Sequence, residues 1–182
     1  MIRVYYSILV LSLIIIVSSF KRNHIEPKTT NDIEFFENET KNNPSSSKSM
    51  LVYDMIEKYS EEYNIPKHIA YNIAYKETKY RGPFHWNYNP HLTSSGGAEG
   101  PMQVMPATAR GVNKRKITPH ELRNDIELNI STSMKLLKIL YNKSGGNWSL
   151  ACGYYNTGKP IINSYASFCA TNKNYTKNWI KQ

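Results

Sequence analysis

The chain has 182 residues, enough for one domain with extensions and for a core that needs neither metal nor disulfide to hold it. Its formal charge of +9 comes from 23 Lys and Arg against 14 Asp and Glu, with the basic residues scattered along the chain rather than gathered in one block. That balance suits an anionic partner as well as plain solubility, but no helix-turn-helix, finger or RNA-binding pattern is present, so a nucleic-acid role has no motif to rest on.

Val4 through Val17 is almost wholly apolar, follows Arg3 and runs into Ser18-Ser19, the pattern of a secretory signal peptide with a small-residue cleavage site. The alternative is a retained N-terminal anchor, since Lys21 and Arg22 follow, although the run is short beside the roughly 20 apolar residues of a spanning helix. Residues 1–19 are therefore a signal peptide or anchor, and membrane contact is expected only through this segment if it stays uncleaved. No Cys follows the apolar run, which removes lipoprotein attachment there. Residues 20–48 shift to Asn, Lys, Glu, Thr and Ser, too poor in hydrophobes to bury, and read as a polar disordered spacer. Ile33, Phe35 and Phe36 give that spacer an alternative role, docking on a partner or on the domain itself. Export implies the periplasm or cell envelope, where the anionic cell wall is the better partner for the charge.

The domain is expected over 49–182. Leu51, Val52, Met55, Ile56, Tyr59 and Tyr63 share one helical face, with Ser49 placed as its N-cap. Asn64-Ile65-Pro66 breaks the chain, and Pro66 suits the first position of a second helix, where its missing N–H is harmless. On that helix Ile69, Ala70, Ile73 and Ala74 form an apolar stripe, and Glu77 falls on the same stripe before Arg81-Gly82-Pro83 ends it. A carboxyl aimed at the core side is desolvated, which raises its pKa toward what a general acid near neutral pH requires.

Phe84 to His91 is dense in flat side chains, so Trp86 and Tyr88 are candidate walls for stacking on sugar rings; Phe84 and Trp86 could equally cover the core. His85 and His91, without further ligands, do not make a metal site, and no pattern calls for a cofactor. Gly96-Gly97-Ala98-Glu99-Gly100-Pro101-Met102-Gln103 is a glycine-rich loop, with a third helix expected from about Pro101 to Ala109 and Pro106 sitting awkwardly inside it. Thr118-Pro119-His120-Glu121 is a capping box. Asn124 or Asp125 caps the longest helix, whose buried face carries Ile126, Ile130, Ser133, Met134, Leu137, Leu140 and Tyr141 until Gly145-Gly146 stops it. Asn147 to about Asn156 is a further helix delivering Tyr155 and Asn156 at its end, and 160–182 holds one or two more, anchored by Tyr175 and Trp179. No convincing strand pattern occurs.

The runs Glu77-Thr78-Lys79-Tyr80, Ser94 to Gln103 and Tyr154-Tyr155-Asn156-Thr157-Gly158 resemble, in order and spacing, the three motifs of the soluble lytic transglycosylase family, a relative of goose-type lysozyme. Those motifs read roughly Glu-Ser-x-aromatic, Ser-x-x-Gly-Ala-x-Gly-Leu-Met-Gln and Ala-Tyr-Asn-x-Gly. This chain departs from them at Thr78, Pro101 and Tyr154, and carries an aromatic-rich loop between the first two. The resemblance covers about residues 50–160. It implies an all-α, lysozyme-like helical bundle around a glycan-binding cleft, with peptidoglycan glycan strands as substrate.

It also implies roles by position. Glu77 is the catalytic acid, Tyr155 hydrogen-bonds near its carboxyl, Met102, Gln103 and Asn156 line the saccharide site, and Ser94 holds the loop or meets a sugar. Met102 has an ordinary core role as its alternative. A glycosidase usually needs a second carboxylate, and none is obvious here: Glu99 is expected at the surface, while Asp125 and Glu127 read as helix-start residues. The family resolves this by using one glutamate twice, giving a 1,6-anhydro-muramoyl product without water. Alternatives are a hydrolytic lysozyme, a wall-binding module without catalysis, or a component of an envelope-spanning secretion or conjugation machine. Cys152 and Cys169, in a chain read as exported, either form a disulfide or stay as buried thiols.

Overall fold

The computed structural model describes residues 44–181, with side chains from Lys48 onward, so the expectations for the signal segment and for most of the spacer lie outside the described residues. Seven α-helices follow in order: α1 Pro44–Glu62, α2 Lys67–Thr78, α3 Pro106–Asn113, α4 Pro119–Asn124, α5 Ile126–Lys143, α6 Trp148–Thr157 and α7 Ser164–Thr171, then a 3-10 turn Tyr175–Asn178. No strand forms among the described residues; Glu99 alone makes isolated bridges, to Thr93 and to Val104. No helix among them is long and apolar enough to cross a membrane.

The centres of the periodic stripes bury as expected, while Leu51, expected on the buried face of α1, is 41% exposed. Val52 and Ile56 of α1, Ile69, Ala70, Ile73 and Ala74 of α2, and Ile130, Met134 and Leu137 of α5 are all shut away from solvent. α1 lies against α5, α6 packs between α5 and α7, and α7 closes on α2. Two starts differ from expectation. α1 begins at Pro44, inside the stretch read as spacer, so Ser49 is no N-cap. Ser49 is buried within the helix: its Oγ donates to the Pro83 carbonyl (2.7 Å) and its own carbonyl accepts from the Tyr80 hydroxyl (2.8 Å), tying α1 to the segment after α2. The third helix begins at Pro106, not near Pro101, and the proline that looked awkward is its first residue, where the lost N–H costs nothing. Residues 100–104 instead turn tightly, Gln103 N–H donating to Gly100 (3.1 Å) and Val104 pairing both ways with Glu99 (3.0 Å each).

α2 stops at Thr78, earlier than the Arg81-Gly82-Pro83 signal, because Lys79 takes a left-handed φ of 61° and Tyr80 N–H reaches back to the Ala74 carbonyl. The other caps follow the sequence closely: Thr118 and Glu121 complete the capping box, Asp125 rather than Asn124 caps α5 by accepting from Leu128 N–H (2.8 Å), and Asn147 caps α6. The tail is held by aromatics, with Tyr175 stacked on Tyr71 (5.2 Å) and Trp179 edge-on to Tyr71 (5.2 Å). Gly82, at φ +88°, is pressed against the Trp179 ring, which a Cβ there would meet at 2.7 Å.

The disulfide alternative is not realised. Cys152 and Cys169 are buried free thiols on the facing helices α6 and α7, and burial pushes the Cys152 thiol up to about 12. Both act as small apolar side chains in the core.

Candidate active site

Glu77 lies in the last turn of α2, half-buried, and its Oε1 accepts a hydrogen bond of 2.5 Å from the hydroxyl of Tyr165 on α7. Its carboxyl is held above the ordinary glutamate range chiefly by burial; the Tyr165 hydrogen bond and the ammoniums of Lys76 and Lys79 act in the opposite direction without cancelling it. With Oε1 taken by the phenol, the acid proton belongs on Oε2. Tyr165 itself is kept firmly neutral, first by its own burial and then by the adjacent carboxylate, so it remains a donor.

Tyr165 takes the place expected of Tyr155. The Tyr155 hydroxyl donates instead to the Met102 carbonyl (2.7 Å) and accepts from Ser133 Oγ (2.7 Å), pinning the glycine-rich loop to α5 and α6. It remains close enough to Glu77 for the carboxylate to help raise its pKa, after burial. Tyr165 was missed because α7 carries no part of the three motifs. A signal existed: Tyr165 shares a buried stripe with Ala166 and Cys169 just after an Asn163 cap, and a buried phenol needs an acceptor.

The glycine-rich loop is fastened to the end of α2 and to α5. Ser94 Oγ accepts from Ala98 N–H (2.9 Å), so Ser94 serves the loop. Gly100, at φ +73°, lets the backbone pass so near Asn129 that a Cβ would meet the amide nitrogen at 2.4 Å. Asn129, on α5, donates to the carbonyls of Glu99 (2.7 Å) and Leu122 (3.1 Å) and accepts from Met102 N–H (3.1 Å). Thr78, next to Glu77, accepts from the Tyr88 phenol (2.7 Å) and has the Pro101 carbonyl at 2.9 Å and that of Ala74 at 3.1 Å. One hydroxyl thus joins the end of α2 to the loop.

Of the expected substrate-binding residues, Tyr88 and Met102 are turned into the core, while Gln103, Asn156 and Trp86 keep solvent access. Tyr88 is buried, 4% exposed, edge-on to Tyr80 and bonded to Thr78, so it is a core support and not a sugar wall. Met102 is wholly buried, the core role given as its alternative, and its backbone carbonyl accepts from Tyr155. Gln103, at φ 49°, folds its amide back onto the Gly100 carbonyl (2.9 Å) and so braces the turn. Asn156 is exposed, its Oδ1 accepting from Asn163 (3.0 Å). Trp86 stays half-buried, tilted against Phe84 at 6.3 Å.

Glu99 is buried at 3% exposure, contrary to the surface position expected, with Thr93 Oγ1 donating to it at 2.6 Å and the Arg123 guanidinium at 4.0 Å. The other carboxylates in view are engaged elsewhere: Glu127 with Lys58, Glu57 with Lys67, Glu121 with Arg115 and Asp125 at a helix start. Among the described residues the charged side chains that act on Glu77 are both lysines.

The model of the transglycosylase SLT domain matches residues 54–178. The soluble lytic murein transglycosylase of Escherichia coli K12 is 31% identical over 117 residues, 62% of this chain and 17% of that protein. The membrane-bound lytic murein transglycosylase D of the same strain is 26% identical over 72 residues, 40% of this chain and 16% of its own. The crystal structure of the 70 kDa soluble lytic transglycosylase of E. coli superposes with a TM-score of 0.51 at 28% identity, covering 64% of this chain and 18% of that one. Its complex with bulgecin A gives the same figures. The chain therefore spans less than a fifth of these relatives. Its all-α, lysozyme-like bundle, its three motifs and the family match over 54–178 agree: this chain belongs to the transglycosylase SLT domain family.

Proposed function

We propose that the chain is a peptidoglycan lytic transglycosylase that cleaves the MurNAc-GlcNAc β-1,4 bond and leaves 1,6-anhydro-MurNAc ends, with Glu77 as its single acid and base. The observation that carries this is a half-buried Glu77 held by the Tyr165 phenol, with its pKa raised and lysines as its charged neighbours. A second carboxylate beside the acid is what a water-activating glycosidase would require, and the described candidates are each committed to other partners.

In the first step Glu77 gives its Oε2 proton to the glycosidic oxygen as the bond to the muramoyl anomeric carbon breaks. The carboxylate left behind is stabilised by the Tyr165 hydrogen bond and by Lys76 and Lys79. It then accepts the proton of the muramoyl 6-hydroxyl as that oxygen bonds to the anomeric carbon. The anhydro ring closes, Glu77 is protonated again, and no water is consumed. Tyr155, through the Met102 carbonyl, holds the glycine-rich loop to α6. Trp86 offers a surface for a more distant sugar, and export to the cell envelope, with service to an envelope machine, fits the signal-like N-terminus and the +9 charge.

Digestion of purified peptidoglycan by the wild type and by Glu77→Gln tests this reading. The wild type is expected to release muropeptides; the variant, folded by circular dichroism and still binding glycan, is expected to release none. Retained cleavage by Glu77→Gln would remove Glu77 from the mechanism.

A further inference from the structure

We propose that the outward face of the C-terminal half of α5, edged by Trp148 and Tyr154 of α6, docks on a membrane surface rich in anionic lipid. It is a contact other than the one expected of residues 1–19, and it does not depend on the catalytic chemistry.

The charge that such a surface would meet is unevenly placed along the chain. From Leu128 to Gln182 the sequence holds seven lysines and no Asp, Glu or Arg, so seven of the nine net positive charges lie in its last third. On α5 the helical period puts Lys135, Lys138, Ile139 and Lys143 on one side, turned away from the buried Ile126, Ile130 and Leu137. Ile139, in the middle of the three lysines, is 46% exposed. Among the described residues none of these three ammoniums lies within 4.0 Å of a carboxylate. Two rest over rings instead, Lys138 Nζ 5.5 Å from the centre of Tyr141 and Lys143 Nζ 4.6 Å from that of Tyr154. Tyr141 in turn stacks on the half-buried Trp148 at 4.1 Å. Tyr154 stands where the family motif has Ala, so this edge belongs to the chain itself and not to the shared motif.

The dipole of α5 favours a cation in its last turn, which accounts for Lys143. It does not account for Lys135, two turns earlier, or for an apolar side chain left in water between the two. A hydrated polyanion would pair with the ammoniums and leave Ile139 and the indole unused. A lipid surface uses both: phosphate headgroups meet the lysines, Ile139 enters the interface, and Trp and Tyr sit at headgroup depth. One isoleucine buries too little to hold alone, so charge must carry most of the affinity and salt should release the protein.

The test follows the full chain carrying Ile139→Cys labelled with a polarity-sensitive dye; Cys152 and Cys169 are buried and stay unlabelled. Vesicles of phosphatidylcholine alone, vesicles of phosphatidylcholine mixed with phosphatidylglycerol, and inorganic polyphosphate are each titrated in. Lys135, Lys138 and Lys143 are kept, changed together to Gln, or changed together to Arg, and any hold by residues 1–19 is the same in all three chains. The expected result is a blue shift of the dye on the phosphatidylglycerol vesicles alone. The lipid needed for half of that shift should rise about tenfold or more in the Gln chain and stay unchanged in the Arg chain. Vesicle-bound protein with an unshifted dye, an equal shift on phosphatidylcholine alone, or a shift that the Gln chain keeps in full would each overturn the proposal. A shift with polyphosphate only would overturn it as well, and would make the face a site for a soluble polyanion.

Discussion

Glu77 holds its proton higher on the pH scale than a solvated glutamate because burial outweighs the phenol and the two lysines. Activity that needs the acid form should fall as pH rises through that raised value. Tyr165→Phe removes the hydrogen bond that favours the carboxylate, so the fall should move to higher pH, with kcat reduced about 10- to 100-fold. A pH profile with an unmoved alkaline limb would contradict the assignment. Tyr155→Phe should behave differently, costing stability by about 1–3 kcal/mol because the Met102 carbonyl and the Ser133 hydroxyl lose a buried partner. The same raised carboxyl has a consequence for folding. A folded pKa above the unfolded one gives stability that is complete below the unfolded value and lost as pH rises through the folded value. Glu77→Gln should therefore melt a few degrees higher than the wild type at neutral pH, with the gain vanishing in acid. Melting curves across the pH range check the sign.

The elements divide into those whose sequence reports their own geometry and those fixed by distant partners. The stripes of α2 and α5, the Thr118 box and the Asn147 cap were legible because each depends on residues within one or two turns. The loop over 92–104 was legible as glycine-rich but not as a scaffold, since its anchors Asn129 and Thr78 lie on helices far along the chain. Asn129 reads from the sequence as one more polar residue of α5, yet it is wholly buried and serves three backbone groups of the loop and its surroundings. Gly100→Ala forces a side chain into a left-handed backbone against that amide and should cost on the order of 2–4 kcal/mol, measured by chemical denaturation. Asn129→Ala, by stranding the same groups, should cost about 3 kcal/mol. Variants as stable as the wild type would show that the loop finds other anchors.

At the scale of the molecule, the all-α bundle and the half-buried place of Glu77 on α2 were legible, because apolar period, glycine punctuation and motif order all point the same way. The support around the acid was not. Tyr88 and Met102 belong to the motif region and look like site walls, but the close fit of the loop on α2 turns both inward. Tyr165 lies outside the motifs, 88 residues from Glu77, and only the packing of α7 on α2 brings the two together. The proposed mechanism uses Glu77 twice, as acid and then as base. The direct measurement is the mass of the products when peptidoglycan is digested in oxygen-18 water. The single-glutamate account predicts muropeptides lighter by one water than hydrolysis products and free of the heavy label. Products with reducing ends that carry oxygen-18 would show that water is the attacker and that a second base serves the site.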